Sequence, residues 1–233
     1  YPLEDIQLAN ILENDKEDTY RNYELISTDE LSEPQKNGSA PTHQQLKRRW
    51  IEMFEKLKES YDDPEEGLKR FTQAYLACVS AVDDNIGQVM NAIDNSKLKD
   101  NTIVILVSDH GWTMGEKDHV YKNSLWEEST RIPMVIRSHK DSNSGLQVNH
   151  PVSLIDIYPT LLDLAGLDTE TKKNEKGKSL DGYSLVPFLK DPDTKDWEGP
   201  EAALTVVYSS YNNKNIASNH HYSVRTKDWR YII

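Results

Sequence analysis

Two apolar runs restrict the fold of this chain more than anything else in it: Thr102-Ile103-Val104-Ile105-Leu106-Val107, and Pro133-Met134-Val135-Ile136 closed by Arg137. Neither alternates polar with apolar residues, so neither has a face to give to water. Strands of that kind sit in parallel sheets covered on both sides, and the cover is the helices that connect the strands. The sequence supplies such helices. Asp63 is placed to cap one, with Pro64 in its first turn and Glu65-Glu66 complementing the dipole. It continues through Tyr75, Val79, Val82, Ile86, Val89 and Ile93, a stripe spaced four and three in alternation. An earlier helix is expected from Thr42, on the spacing of Leu46, Trp50, Met53, Phe54, Leu57 and Tyr61. A later one follows Ser153, carries Ile157, Leu161, Leu162 and Leu164, and is stopped by Gly166. Past residue 200 the pattern changes: 203–208, 221–225 and 229–233 read as strands without helices between them. The order predicts an α/β domain over 1–200, its mixed and mostly parallel sheet lying between helices. The beginning of a small antiparallel-sheet subdomain follows over 201–233.

Composition narrows the function. The formal net charge of −12 argues against a nucleic-acid surface, which needs clustered Lys and Arg to neutralise phosphates. A small anionic ligand is still allowed, because one pocket can be positive on an acidic protein. No stretch approaches the 18 apolar residues of a membrane span. The single cysteine excludes an internal disulfide, and Cys78, in the middle of a helix, reads as a small core residue. Asn37-Gly38-Ser39 matches a glycosylation acceptor. The chain opens on Tyr1-Pro2 and closes on Trp229-Arg230-Tyr231-Ile232-Ile233, which reads as β structure cut mid-strand; a fragment of a longer protein is expected.

The chemistry is concentrated between the two apolar runs. Ligands of open α/β sheets bind at the carboxyl ends of strands, and Asp109 stands just past the end of the first run, followed by His110 and Gly111. A carboxylate and an imidazole there suit a metal ion, and they also suit a turn closed by local hydrogen bonds. Two such ligands are too few for Zn²⁺ or Ca²⁺, so a metal would need others from elsewhere. His119 and Lys122 are three residues apart, and an ammonium beside an imidazole suits an oxyanion ester. Each is also compatible with an ordinary solvated surface. Glu116 and Lys117 read as a local ion pair, Trp126 and Arg131 as anchors of the loop by packing and by a salt bridge.

The wording of this stretch resembles the formylglycine-dependent sulfatases, within the alkaline-phosphatase-like hydrolases. The resemblance is carried by Thr-Ile-Val-Ile-Leu-Val-Ser-Asp-His-Gly at 102–111, Met-Gly-Glu-Lys-Asp-His-Val-Tyr-Lys at 114–122 and Leu-Trp-Glu-Glu-Ser-Thr-Arg-Ile-Pro-Met-Val-Ile at 125–136. Flanking matches lie at 75–87, 152–161, 180–185 and 222–226, and among branches the iduronate-2-sulfatase and choline-sulfatase type is the most similar. The resemblance implies that Asp109 and His110 are two ligands of one divalent cation, usually Ca²⁺. It implies that Lys122 contacts the sulfate and helps neutralise the leaving oxygen, and that His119 lies near the leaving group as a proton donor. The implied activity is hydrolysis of a sulfuric ester, of a sulfated small molecule or glycan, in a protein exported to periplasm, extracellular space or lysosome. One departure stands out. The family's formylglycine is made from Cys or Ser in a Cys/Ser-x-Pro-x-Arg motif, which this chain lacks, so both the formylglycine and the other metal ligands are expected upstream of Tyr1. Two further readings follow from that gap: a phosphodiesterase or phosphonate-ester hydrolase of the same superfamily, and a non-catalytic metal-binding relative. Nothing in the sequence fixes an oligomeric state.

Overall fold

A computed structural model describes residues 1–15, 17, 52–122, 124–138, 145–170, 172, 174–208 and 220–233. The glycosylation motif at 37–39 and the first ten residues of the helix expected from Thr42 lie outside them. The described part of that helix is α1, residues 52–59. Then comes α2, Pro64–Asp94, capped by Asp63, whose carboxylate accepts from Glu65 N at 2.9 Å. Strand β1, Val104–Val107, pairs with β4, Met134–Arg137. Between them lie the hairpin strands β2, Thr113–Met114, and β3, Val120–Tyr121, and a short helix α3, Glu127–Thr130. Helix α4, Ile157–Ala165, follows a 3-10 turn, and α5 spans Val186–Lys190. The chain ends in a three-stranded sheet, β5 (Ala203–Tyr208), β6 (His220–Arg225) and β7 (Arg230–Ile232). Mixed helix and sheet in this order is an α/β fold.

The chain divides into two compact units, 1–135 with 207–220 and 136–206 with 221–233. In the first, the core gathers Phe54 of α1, Leu68 of α2 and Val120 of β3, with Leu8, Ile11, Leu57 and Phe71 packed against them. Gly67 is what lets the two helices meet: a Cβ there would stand 2.1 Å from the Leu57 carbonyl oxygen. Val120 is 1% exposed, so the core grips the hairpin between His119 and Lys122.

The α2 stripe behaves differently along its length. Gly67, Leu68 and Thr72 are buried at its start. Further on, Val79, Val82 and Val89 are 46%, 56% and 58% exposed, and Leu106 of β1 is 41% exposed. An open groove of about 290 Å³ runs between Val82, Ile86 and Val89 and the strand residues Val104 and Leu106. The expectation that Cys78 is a core residue is therefore corrected: it is exposed, because among the described residues nothing covers that face of α2. The same holds for β1, expected to be covered on both sides and here only half-buried.

The second unit is built as the sequence indicates. Ser153 and Asp156 form a reciprocal capping box at the 3-10 turn before α4, and Gly166 closes α4 in the left-handed conformation at φ 68°. Buried Asp156 also accepts from Tyr183 N at 2.8 Å, and Thr160 Oγ1 accepts from Leu185 N at 2.9 Å, tying α4 to the approach of α5. Strands β6 and β7 are antiparallel, with Val224 opposite Tyr231.

Candidate functional site

Gly111 decides where the loop goes after β1. Its N–H donates to Ser129 O at 2.8 Å and Trp112 N–H to Glu128 O at 2.7 Å, so the chain lies flat against α3. A Cβ at Gly111 would stand 1.9 Å from the Glu128 carbonyl oxygen, an approach only glycine permits. With the backbone held there, Asp109 points outward, its side chain 86% exposed, and His110 lies beside it, 30% exposed.

His110 is oriented at both nitrogens. Nδ1 is 2.8 Å from Gly111 O, which can only accept, so Nδ1 carries the proton. Nε2 then presents a lone pair, and Lys122 Nζ donates to it at 2.8 Å. Asp109 Oδ1 is 3.6 Å from the same Nε2. A carboxylate oxygen, an imidazole lone pair and an ammonium thus lie next to one another.

Those donors fit a divalent cation. An imidazole that ligates through one nitrogen almost always donates its other N–H to a carbonyl or carboxylate, which is what His110 does to Gly111. That Nε2 lone pair accepts from Lys122 at 2.8 Å, so a cation bound there would take the place of the ammonium. Two donors are a partial shell, and among the described residues no group of three or more His, Cys, Asp or Glu side chains could hold a metal by itself.

His119 is placed by a different contact. Its Nδ1 is 2.8 Å from Thr113 Oγ1, and that hydroxyl is also 2.9 Å from Tyr121 O. Thr113 and Tyr121 face each other across the β2–β3 pair. The hairpin between them is tight, with Gly115 at φ 123° and both Lys117 and Asp118 in the left-handed region. Tyr121 has φ 100°, unusual for a bulky residue, and it immediately precedes Lys122.

The expected local pair of Glu116 and Lys117 takes another form. Lys117 reaches back to Asp15, with Nζ 2.8 Å from Oδ1, and its backbone N–H donates to Oδ2 at 3.1 Å. Its ammonium also lies over Trp126, 4.6 Å from the ring centre, which is how Trp126 anchors the loop. Burial alone would raise the Asp15 pKa, but the hydrogen bonds and charge of Lys117 outweigh it and hold the carboxyl below its ordinary value. Glu116 instead accepts from Met114 N at 2.6 Å. Its pKa is raised, mainly by burial, with Glu128 and Asp15 pushing the same way. Arg131 pairs with Glu127 at 4.0 Å on the surface, where a single ion pair contributes little.

Sequence reasoning missed Trp112, Thr113 and Asp15. Trp112 packs on Tyr121 at 4.3 Å between ring centres, on Tyr75 at 5.8 Å and on His110 at 6.3 Å. Its indole Nε1 is buried with no hydrogen-bond partner among the described residues. Position directly after Asp-His-Gly was a usable signal for Trp112 and Thr113. Asp15 gave none, since its partner is 102 residues away.

The family model described as Sulfatase matches residues 32–167, and one described as N-sulphoglucosamine sulphohydrolase, C-terminal, matches 115–233. A sulfatase of Formosa agariphila is 36% identical over 165 residues, 70% of this chain and 28% of that protein. The structure of a protein in complex with its substrate D-glucosamine-2-N,6-O-disulfate is similar at a TM-score of 0.61 and 28% identity, over 82% of this chain and 38% of that one. The phosphonate monoester hydrolase of Agrobacterium radiobacter is similar at 0.60 and 27%, over 72% and 34%. The chain spans about three tenths of the length of the curated relatives it matches.

Proposed function

The chain belongs to the sulfatase family of the alkaline-phosphatase-like superfamily, and on that premise we propose that it forms one wall of a sulfuric ester hydrolase acting on a sulfated carbohydrate. The observation that carries the reading is the convergence of Asp109, His110 and Lys122 on one spot. Asp109 Oδ1 and His110 Nε2 would hold the divalent cation that the family uses, with Ca²⁺ the ion chosen for its preference for carboxylate oxygen. The cation would neutralise negative charge at the sulfate, and a formylglycine from outside these 233 residues would supply the nucleophile. Lys122 binds a sulfate oxygen and offsets charge as it builds on the leaving oxygen, the kind of fixed positive group that stabilises a transition state most. His119, in its imidazolium form, would give a proton from Nε2 to the departing alkoxide. Sugar sulfates make sense as substrates because their alkoxides are poor leaving groups and need that proton.

The division at residue 200, between α/β catalytic domain and C-terminal subdomain, belongs to the same reading, as does export from the cytoplasm. Among the described residues no helix is long and apolar enough to cross a membrane. The likeness to a phosphonate monoester hydrolase favours a second reading, in which the same wall binds a phosphonate ester. A longer polypeptide that contains this chain separates them. Release of inorganic sulfate from sulfated glucosamine, at least tenfold faster per KM than hydrolysis of an aryl phosphonate ester, is the expected result. The reverse preference moves the chain to the second reading, and no hydrolysis of either makes it a non-catalytic relative.

A further inference from the structure

Thr113 is the least exposed polar side chain beside the site, at 1%. Its hydroxyl has one proton and accepts with two lone pairs. The Tyr121 carbonyl, 2.9 Å away, can only accept, so the hydroxyl proton goes there. The contact of 2.8 Å to His119 Nδ1 must then run the other way, with Nδ1–H donating to the threonine oxygen. That assigns the tautomer. The neutral ring carries its proton on Nδ1 and its lone pair on Nε2, and any proton His119 takes up and later delivers moves through Nε2.

The same hydroxyl acts on Lys122 through the backbone. Tyr121 sits at φ 100°, a conformation that costs a bulky residue free energy and persists only where its surroundings over-determine it. The Thr113 hydroxyl on its carbonyl and the Trp112 ring at 4.3 Å are two of those constraints. The next residue is Lys122, whose ammonium ends 2.8 Å from His110 Nε2. One buried hydroxyl therefore joins the group expected to give the proton to the backbone that aims the group expected to bind the sulfate.

We propose that Thr113 is a positioning residue: it fixes His119 as the Nδ1–H tautomer, so that Nε2 faces the chemistry, and it holds the Tyr121 carbonyl that directs Lys122. The proposal rests on the assignment of His119 and Lys122 to sulfate-ester hydrolysis, but the tautomer itself does not depend on it.

The test uses protein labelled with ¹⁵N-histidine, with the His119 signals assigned by their loss in His119→Gln. Two-bond ¹H–¹⁵N correlations at about pH 8.5, above the ordinary histidine range, are expected to show Nδ1 protonated in the wild type and in Thr113→Ser. In Thr113→Val the proton is expected on Nε2 or shared between the two nitrogens. Nε2–H in the wild type, or an unchanged Nδ1–H in Thr113→Val, overturns the proposal, and the wild-type result decides even if Thr113→Val does not fold. In an active polypeptide, Thr113→Val is expected to lower kcat at least tenfold on an alkyl sulfate ester. On an aryl ester with a good leaving group the loss is at most threefold, and Thr113→Ser restores both. Equal losses on the two esters would contradict the positioning of a proton. A polypeptide active on neither ester defeats the sulfatase reading, while the tautomer measurement still judges Thr113.

Discussion

Between Gly111 and Tyr121 the chain is held by short bonds: the Gly111 and Trp112 amides on α3, the Thr113 hydroxyl on His119 and Tyr121, Glu116 on Met114 N. Along α2 from Val79 to Val89 large apolar side chains stand about half exposed, and the bond between Ser80 Oγ and Tyr1 OH at 2.8 Å lies beside them. Hydrogen bonds are directional and close over a few residues, so a loop can define its own geometry. Burial is different. It needs a second apolar surface, and β1 offers α2 only one side of an open groove. The difference teaches that directional bonds can fix a loop's geometry independently of how fully the neighbouring helix is covered.

That contrast can be broken at several points. The largest effect is expected at Asp109, whose exposed carboxylate has no part in the packing. In an active polypeptide Asp109→Ala should lower kcat/KM by about 100-fold or more, near 2.7 kcal/mol, with thermal stability unchanged in the absence of divalent cation. Gly111→Ala comes next. It drives a Cβ into the Glu128 carbonyl and should cost about 2 kcal/mol in thermal or urea unfolding, through displacement of the loop.

Asp15→Asn removes the charge that holds Lys117 and should cost about 1–2 kcal/mol at neutral pH, by the same measurement. Its pH dependence has a definite sign. The folded-state pKa of Asp15 is lowered, so its contribution is complete above the unfolded carboxylate value of about 4 and is lost as pH falls through the lowered value. The asparagine variant should lack that part of the acid sensitivity. The smallest effect is expected on α2, where Val82→Ser and Val89→Ser should each change stability by under about 0.5 kcal/mol, because both side chains are already more than half exposed. A loss of 2 kcal/mol at either would mean that this face is covered.

Much of this was legible in the sequence, for identifiable reasons. Caps and stops work over a few residues, so Asp63, Ser153 and Gly166 can be read directly. The apolar runs mark β1 and β4 in the same way. What the sequence does not show is burial and long-range pairing. The regular stripe on α2 gives a face but not its cover, which is why Cys78 read as core. Lys117 beside Glu116 suggested a neighbourly pair, whereas the fold brings Asp15 to it across 102 residues. Thr113 was passed over because a threonine in a strand is ordinary, and only its two short contacts give it a role.

The most direct test of the site is the kinetics of Lys122→Ala in an active polypeptide containing this chain, assayed on a sulfated aryl ester. If the Lys122 ammonium beside His110 binds the sulfate, kcat/KM falls by about 100-fold or more, near 2.7 kcal/mol of lost transition-state stabilisation. A value within about twofold of wild type, a difference under roughly 0.5 kcal/mol, would contradict it.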